Sequence, residues 1–114
     1  MSFDLKELDE VSQTLKLLGD KTRLTIMKLL EKQERCVCEL VEFFKTSQPS
    51  ISQHLRKLKD AGLVKENRKG QWIFYSINPS NAQYELIQKL IAFVPSQDHA
   101  LEELSMKGMK ISCD

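Results

Sequence analysis

The stretch ERCVCELVEFF, residues 34–44, sets Cys36 and Cys38 one residue apart at the start of a helical pattern. Thiolates are soft ligands. Two on one short segment suit arsenite and antimonite, and they also suit cadmium, lead and zinc. The bland alternative is a pair of small apolar fillers, because free cysteine is often buried. The remaining cysteine, Cys113, lies in the C-terminal tail. Three is an odd number, and cytosolic thiols stay reduced, so free thiols or metal ligands are expected rather than a disulfide framework. Geometry adds a condition. Positions i and i+2 of a helix do not face each other, whereas two thiolates sharing an ion at ~2.3 Å lie under ~4 Å apart. Two helical cysteines here chelate only if the first turn is irregular, so ion binding is expected to distort the start of this helix.

Other site chemistries are excluded or faint. There is no Gly-rich phosphate loop, nucleophile–base pair or paired carboxylate set, so the chain does not read as an enzyme. His54 and His99 are the only histidines, which does not fit a nitrogen-rich zinc site. Asp98-His99 with Glu102 or Glu103 forms a faint oxygen–nitrogen set in the tail.

The elements that must position the cysteines follow from periodicity. Leu8, Val11, Leu15 and Leu18 predict an amphipathic helix over residues 4–18. Gly19-Asp20 ends it, and Asp20 is placed to cap a second helix carrying Leu24, Met27 and Leu30. Val37, Leu40, Val41 and Phe44 mark a short third helix. Ser47 or Gln48 is a candidate N-cap for a fourth helix, with Pro49 in its first turn and Gly62 as its stop. Trp72, Ile73, Phe74, Tyr75 and Ile77 are strand formers, with a turn expected at Asn67 to Gly70. Helix is expected to resume at Asn78-Pro79-Ser80 and to run to Pro95 with more apolar surface than one small domain needs. The expected fold is therefore mainly α (α+β), ordered helix–helix–helix–helix–β-hairpin–helix. It forms a winged helix-turn-helix domain over residues 1–95, followed by a tail over 96–114 that carries Cys113 as a possible metal ligand.

Net charge is only +1, but its distribution is uneven. Residues 45–71 hold seven Lys/Arg against Asp60 and Glu66, a net of +5, while the rest of the chain nets −4. A basic segment on a helix and hairpin is the footprint expected for phosphates. Gln48, Ser50, Ser52 and Gln53 supply short polar groups for base edges at the front of the fourth helix, with His54 beside them. Arg56 and Lys57 suit phosphates, and Arg68 and Lys69 at the hairpin reach the flanking backbone or groove. No apolar run approaches the ~18 residues that span a bilayer. The acidic, amphipathic N-terminus does not read as a signal peptide, so a cytoplasmic location is expected.

LGDKTRLTIMKLL, CVCEL, SQPSISQHLRKLKDAGLV and RKGQWIFYSI, in that order, resemble the ArsR/SmtB family of metal(loid)-responsive winged-helix repressors, of the arsenical-resistance type. The resemblance spans residues ~8–94. It implies a homodimer joined by the first and last helices, bound to operator DNA and released by a ligand. It also implies that the CVC box, here Cys36 and Cys38, is an inducer site for arsenite or antimonite, with cadmium, lead or zinc as alternatives. Arsenic sensors of this family with three cysteines on this helix carry the third where this chain has Val41. The cadmium/lead sensors use an N-terminal cysteine that is missing here. The zinc sensors place Asp and His on the last helix, and residues 79–94 contain neither. Cys113 is the remaining thiol for a three-thiolate site. A thiol redox switch is the other use of the same cysteines.

Overall fold

A computed structural model describes residues 5–106. Its helices begin where short polar side chains can take amides that the helix itself leaves unpaired. After α1 (Leu5–Leu18), Asp20 stands in extended backbone and its Oδ1 accepts from the Arg23 N–H at 3.0 Å, starting α2 (Lys21–Leu30). Ser47 caps α4 (Gln48–Asp60) in the same way, accepting from the Ser50 N–H at 3.2 Å, with Pro49 in the first turn. Between these lies α3 (Val37–Phe44), and Lys45, at φ 51°, turns the chain from α3 into α4. Gly62, at φ 80°, ends α4. The amides of Asn78 and Asn81 both donate to its carbonyl, at 3.1 and 2.9 Å.

The wing is β2 (Val64–Lys69) paired antiparallel with β3 (Trp72–Ile77), from Val64↔Ile77 to Lys69↔Trp72. That register makes Gly70-Gln71 the two-residue turn, with Gly70 at φ 65°. The turn expected at Asn67–Gly70 is therefore corrected. Asn67, Arg68 and Lys69 stay in the strand because each faces a β-forming partner in β3.

Two further boundaries differ from the sequence expectation. Arg35–Cys36 form a short strand, β1, on the other edge of β3, pairing Arg35 with Tyr75 and Cys36 with Phe74. Cys36 is thus outside the helix that was expected to hold both cysteines. The last helix of the winged unit, α5 (Tyr84–Ala92), starts later than Asn78-Pro79-Ser80. Asn78 and Asn81 accept at their side-chain oxygens from the Ser80 and Gln83 N–H groups, at 3.1 and 2.7 Å. These side-chain bonds hold residues 78–83 in turns. α6 (Asp98–Met106) follows and contacts α3.

The core gathers Ile26 and Met27 of α2, Leu40 of α3, Ile51, Leu55 and Leu58 of α4, and Ile87 and Ile91 of α5, all essentially without solvent contact. Burial of each contributes about 1.5–3 kcal/mol. The core fixes the inner face of α4, so its polar residues must face outward. Not every apolar stripe is used. Leu8 and Leu15 of α1 are half exposed, and Phe93, just beyond α5, is 88% exposed.

Candidate nucleic-acid interface and thiol pair

Three buried leucine-type side chains along one side of α4 leave Gln48, Ser52, Gln53, Arg56 and Lys57 exposed on the others, with Ser50 and His54 half-buried at the margin. The exposed set combines amides and hydroxyls that can read base edges with cations that can meet phosphates. His54 is the member most engaged by the protein. Its Nδ1 lies 3.2 Å from Nη1 of Arg23, whose Nε donates to the Leu17 carbonyl at 2.7 Å. Arg23 was not singled out from sequence, because nothing in its spacing signals a partner 31 residues away. The carboxyl of Asp20 in the same corner is held below its ordinary range by the Arg23 backbone N–H and by the nearby Arg23 guanidinium, against the opposing effect of burial.

The wing carries the second cationic group. Glu66 sits at its centre and accepts from the Tyr75 hydroxyl at 2.8 Å, Arg68 Nε at 3.3 Å and Lys59 Nζ at 3.4 Å. The Tyr75 bond, with help from the two cations, keeps the Glu66 carboxyl below its ordinary range. Tyr75 itself is pushed up to about 12, first by burial and then by the adjacent carboxylate. Lys69 pairs with Glu34 and lies 4.7 Å over the Phe74 ring. Arg68 and Lys69 are therefore exposed but already matched to carboxylates, so a phosphate must compete with Glu66 and Glu34 for them. Glu34 is the residue that sequence reading missed, since it meets Lys69 only across 35 residues of chain, whereas Glu66 lies two residues from Arg68 on the same strand.

The thiol pair sits where β1 meets α3. Cys36 is extended (φ −72°, ψ 147°) and caps α3, while Cys38 is in its first turn. This junction removes the helical obstacle, and the two Sγ atoms lie 2.7 Å apart. That is longer than the ~2.05 Å of a disulfide bond and shorter than the ~3.8 Å that two sulfurs take around one tetrahedral ion at ~2.3 Å each, so an ion bound by both must spread them. The junction is held by Glu39, whose Oε1 accepts from the Cys36 N–H at 3.0 Å and whose Oε2 lies 3.6 Å from Arg35 Nη1. Arg35 is buried and its Nε donates to the Leu29 carbonyl at 3.0 Å. With both oxygens engaged, Glu39 is a brace for the site rather than a spare ligand. Among the described residues, no group of three or more Cys, His, Asp or Glu side chains gathers into a metal site. Cys113 lies outside the described residues.

A helical core whose α3–turn–α4 pair is followed by a β-hairpin, with a polar and cationic outer face, defines a winged helix-turn-helix DNA-binding protein. Comparison narrows the class. Residues 20–66 match the family described as "Bacterial regulatory protein, arsR family". The chain is 43% identical over 74 residues to an uncharacterized HTH-type transcriptional regulator, MJ1325, of Methanocaldococcus jannaschii, covering 64% of this chain and 83% of that one. It is 40% identical over 99 residues to the arsenical resistance operon repressor of Staphylococcus xylosus, covering 87% and 93%. Among solved structures, it resembles the homodimeric winged helix-turn-helix domain of Mb0332 from Mycobacterium bovis, a possible ArsR-family regulator. That match has a TM-score of 0.65 and 26% identity, and covers 96% of this chain and 94% of that one.

The chain belongs to the ArsR family. It is a DNA-binding transcriptional repressor and not an enzyme. Among the described residues, no helix is long and apolar enough to cross a membrane.

Proposed function

We propose that this repressor binds operator DNA as a homodimer and is released when arsenite or antimonite is bound by cysteine thiolates. The 2.7 Å approach of Cys36 and Cys38 is the observation that carries the ligand reading. The names of arsenical resistance repressors among its relatives support a metalloid inducer. Trivalent arsenic takes three sulfurs, and the described residues offer two, so Cys113 is the third ligand. Residues 1–95 then form the DNA-binding and dimerisation unit, and residues 96–114 a ligand-supplying tail. The contact of α6 with α3 supports this division of labour, because α6, at the start of that tail, packs on the helix that carries Cys38.

In this reading Gln48, Ser50, Ser52, Gln53 and His54 face base edges or adjacent phosphates, and Arg56, Lys57, Arg68 and Lys69 face phosphates. The dimer forms through α1 and α5. Leu15, Leu18, Leu24, Leu90, Phe93 and Val94 line an apolar groove of about 470 Å³ between these helices, and a second copy would cover it.

Release follows from position. The thiol junction is one strand away from the wing through β1–β3 pairing, and α3 packs directly on α4. An ion that spreads the two sulfurs must move β1 against α3, and so disturb α4, the wing or both. Linkage requires that DNA weaken ion binding by the same factor.

Equilibrium dialysis of the reduced protein tests the ligand set. One arsenite per chain is expected for wild type, with binding lost in Cys36→Ser and Cys38→Ser and weakened in Cys113→Ser. Cadmium uptake without arsenite uptake would instead assign a divalent inducer. A second reading rests on the same sulfur separation: oxidation of the pair to a disulfide by a peroxide. Release that reductant reverses and a chelator does not would favour it.

A further inference from the structure

We propose that Arg23, on α2 and outside the helix-turn-helix, is a positioning residue that fixes which ring nitrogen of His54 is offered to the operator. The inference rests on the DNA-binding reading of α4. A guanidinium has five N–H donors and no acceptor. With Arg23 Nη1 at 3.2 Å, His54 Nδ1 must be the acceptor in this contact. The neutral ring then carries its proton on Nε2, and that nitrogen is a hydrogen-bond donor.

Arg23 cannot swing away freely. Its Nε is committed to the Leu17 carbonyl at 2.7 Å, and its backbone N–H is committed to the Asp20 cap at 3.0 Å. The side chain is thus fixed at both ends of its reach, and the ring is oriented from behind. His54 sits one residue after Gln53 on α4 and one turn after Ser50, at the margin of the exposed polar face. A donor there meets an acceptor on the duplex, either a phosphate oxygen or a purine acceptor in the major groove.

The test has two readouts on the full-length reduced protein. The first is the long-range proton–nitrogen spectrum of histidine-labelled wild type at about pH 8.5, where an ordinary imidazole is neutral. Only two histidines are present. His54 is expected to show a bare Nδ1 and a protonated Nε2, and Arg23→Lys should shift it toward a mixture. A wild-type ring protonated on Nδ1 overturns the proposal.

The second readout is affinity for promoter DNA. Glutamine places an amide near the Nε2 position, whereas asparagine reaches only as far as Nδ1. His54→Gln should therefore stay close to wild type. His54→Asn should lose about five- to tenfold per half-site, the value of one hydrogen bond. Equal loss in both variants, or no loss in His54→Asn, overturns it. A loss shared by operator and scrambled DNA assigns the acceptor as phosphate, and a loss confined to the operator assigns a base edge. If wild type shows no salt-dependent DNA binding at all, the repressor reading has failed, and the spectrum still judges the Arg23–His54 arrangement.

Discussion

Glu39 is the residue whose removal should reveal how the thiol junction is held. Its carboxylate makes two contacts that no neighbour duplicates: the Cys36 N–H at 3.0 Å and Arg35 Nη1 at 3.6 Å. Loss of the cap bond costs about 1 kcal/mol. Arg35 is 8% exposed, so it is left as a largely buried cation without its carboxylate. A fully buried pair broken on one side costs about 3–5 kcal/mol. The longer distance, the partial exposure of Glu39 and the remaining bond to the Leu29 carbonyl reduce this to about 1–2 kcal/mol. Glu39→Ala should therefore destabilise the reduced protein by about 2–3 kcal/mol. Glu39→Gln, which keeps an acceptor for the Cys36 N–H but no charge, should lose about half of that. In urea, with a slope of about 1–3 kcal/mol per molar for small proteins, the Glu39→Ala midpoint should fall by roughly 0.7–3 M with the slope unchanged. Arsenite affinity should fall with it, since the Cys36 backbone is no longer pinned. A midpoint within experimental scatter of wild type would refute this account of the junction.

Other outcomes follow from the same structure. Tyr75 titrates at about 12 in the folded protein and near 10 when unfolded. The folded state therefore holds the proton longer, and stability present below about pH 10 is lost as pH rises toward 12, by about 2 kcal/mol; urea midpoints should show this loss in wild type and little of it in Tyr75→Phe. Gly62→Ala places a Cβ on a residue at φ 80° and 3.5 Å from the Asn81 amide, so thermal or urea unfolding should report a loss of about 1–2 kcal/mol. Phe93→Glu should leave subunit stability within about 0.5 kcal/mol, because the side chain is already exposed. It should nonetheless convert dimer to monomer in sedimentation experiments, and a dimer that persists would move the interface elsewhere. Arg56→Ala and Lys57→Ala should each weaken DNA binding across all sequences and reduce the salt slope by about one.

Much of this molecule is legible in its sequence. Asp20, Ser47 and Gly62 declare three helix boundaries through local chemistry, and the β-forming run from Trp72 to Ile77 declares the wing. What sequence hides is non-local. β1 is two residues long, too short to carry a period, and exists because Phe74 and Tyr75 present an edge to it. That pairing takes Cys36 out of the helix and brings the two thiols together, which spacing alone argued against. The carboxylate that holds Lys69 is equally invisible, because Glu34 meets it only across 35 residues, whereas Glu66 and Arg68 share a strand two residues apart. The late start of α5 is a local effect: Asn78 and Asn81 favour turns as readily as they cap helices.

Fluorescence anisotropy of the reduced protein on its own upstream promoter DNA, titrated with arsenite and separately with cadmium, bears most directly on the central claim. Wild type should bind, lose affinity steeply with added salt, and be released by arsenite at low concentration. Cys36→Ser and Cys38→Ser should bind equally well and ignore arsenite, and Cys113→Ser should respond only weakly. Release by cadmium alone would keep the thiol switch and replace its ion. Release that is unchanged in all three cysteine variants, or no release by either ion, would contradict the claim that these thiolates govern the repressor.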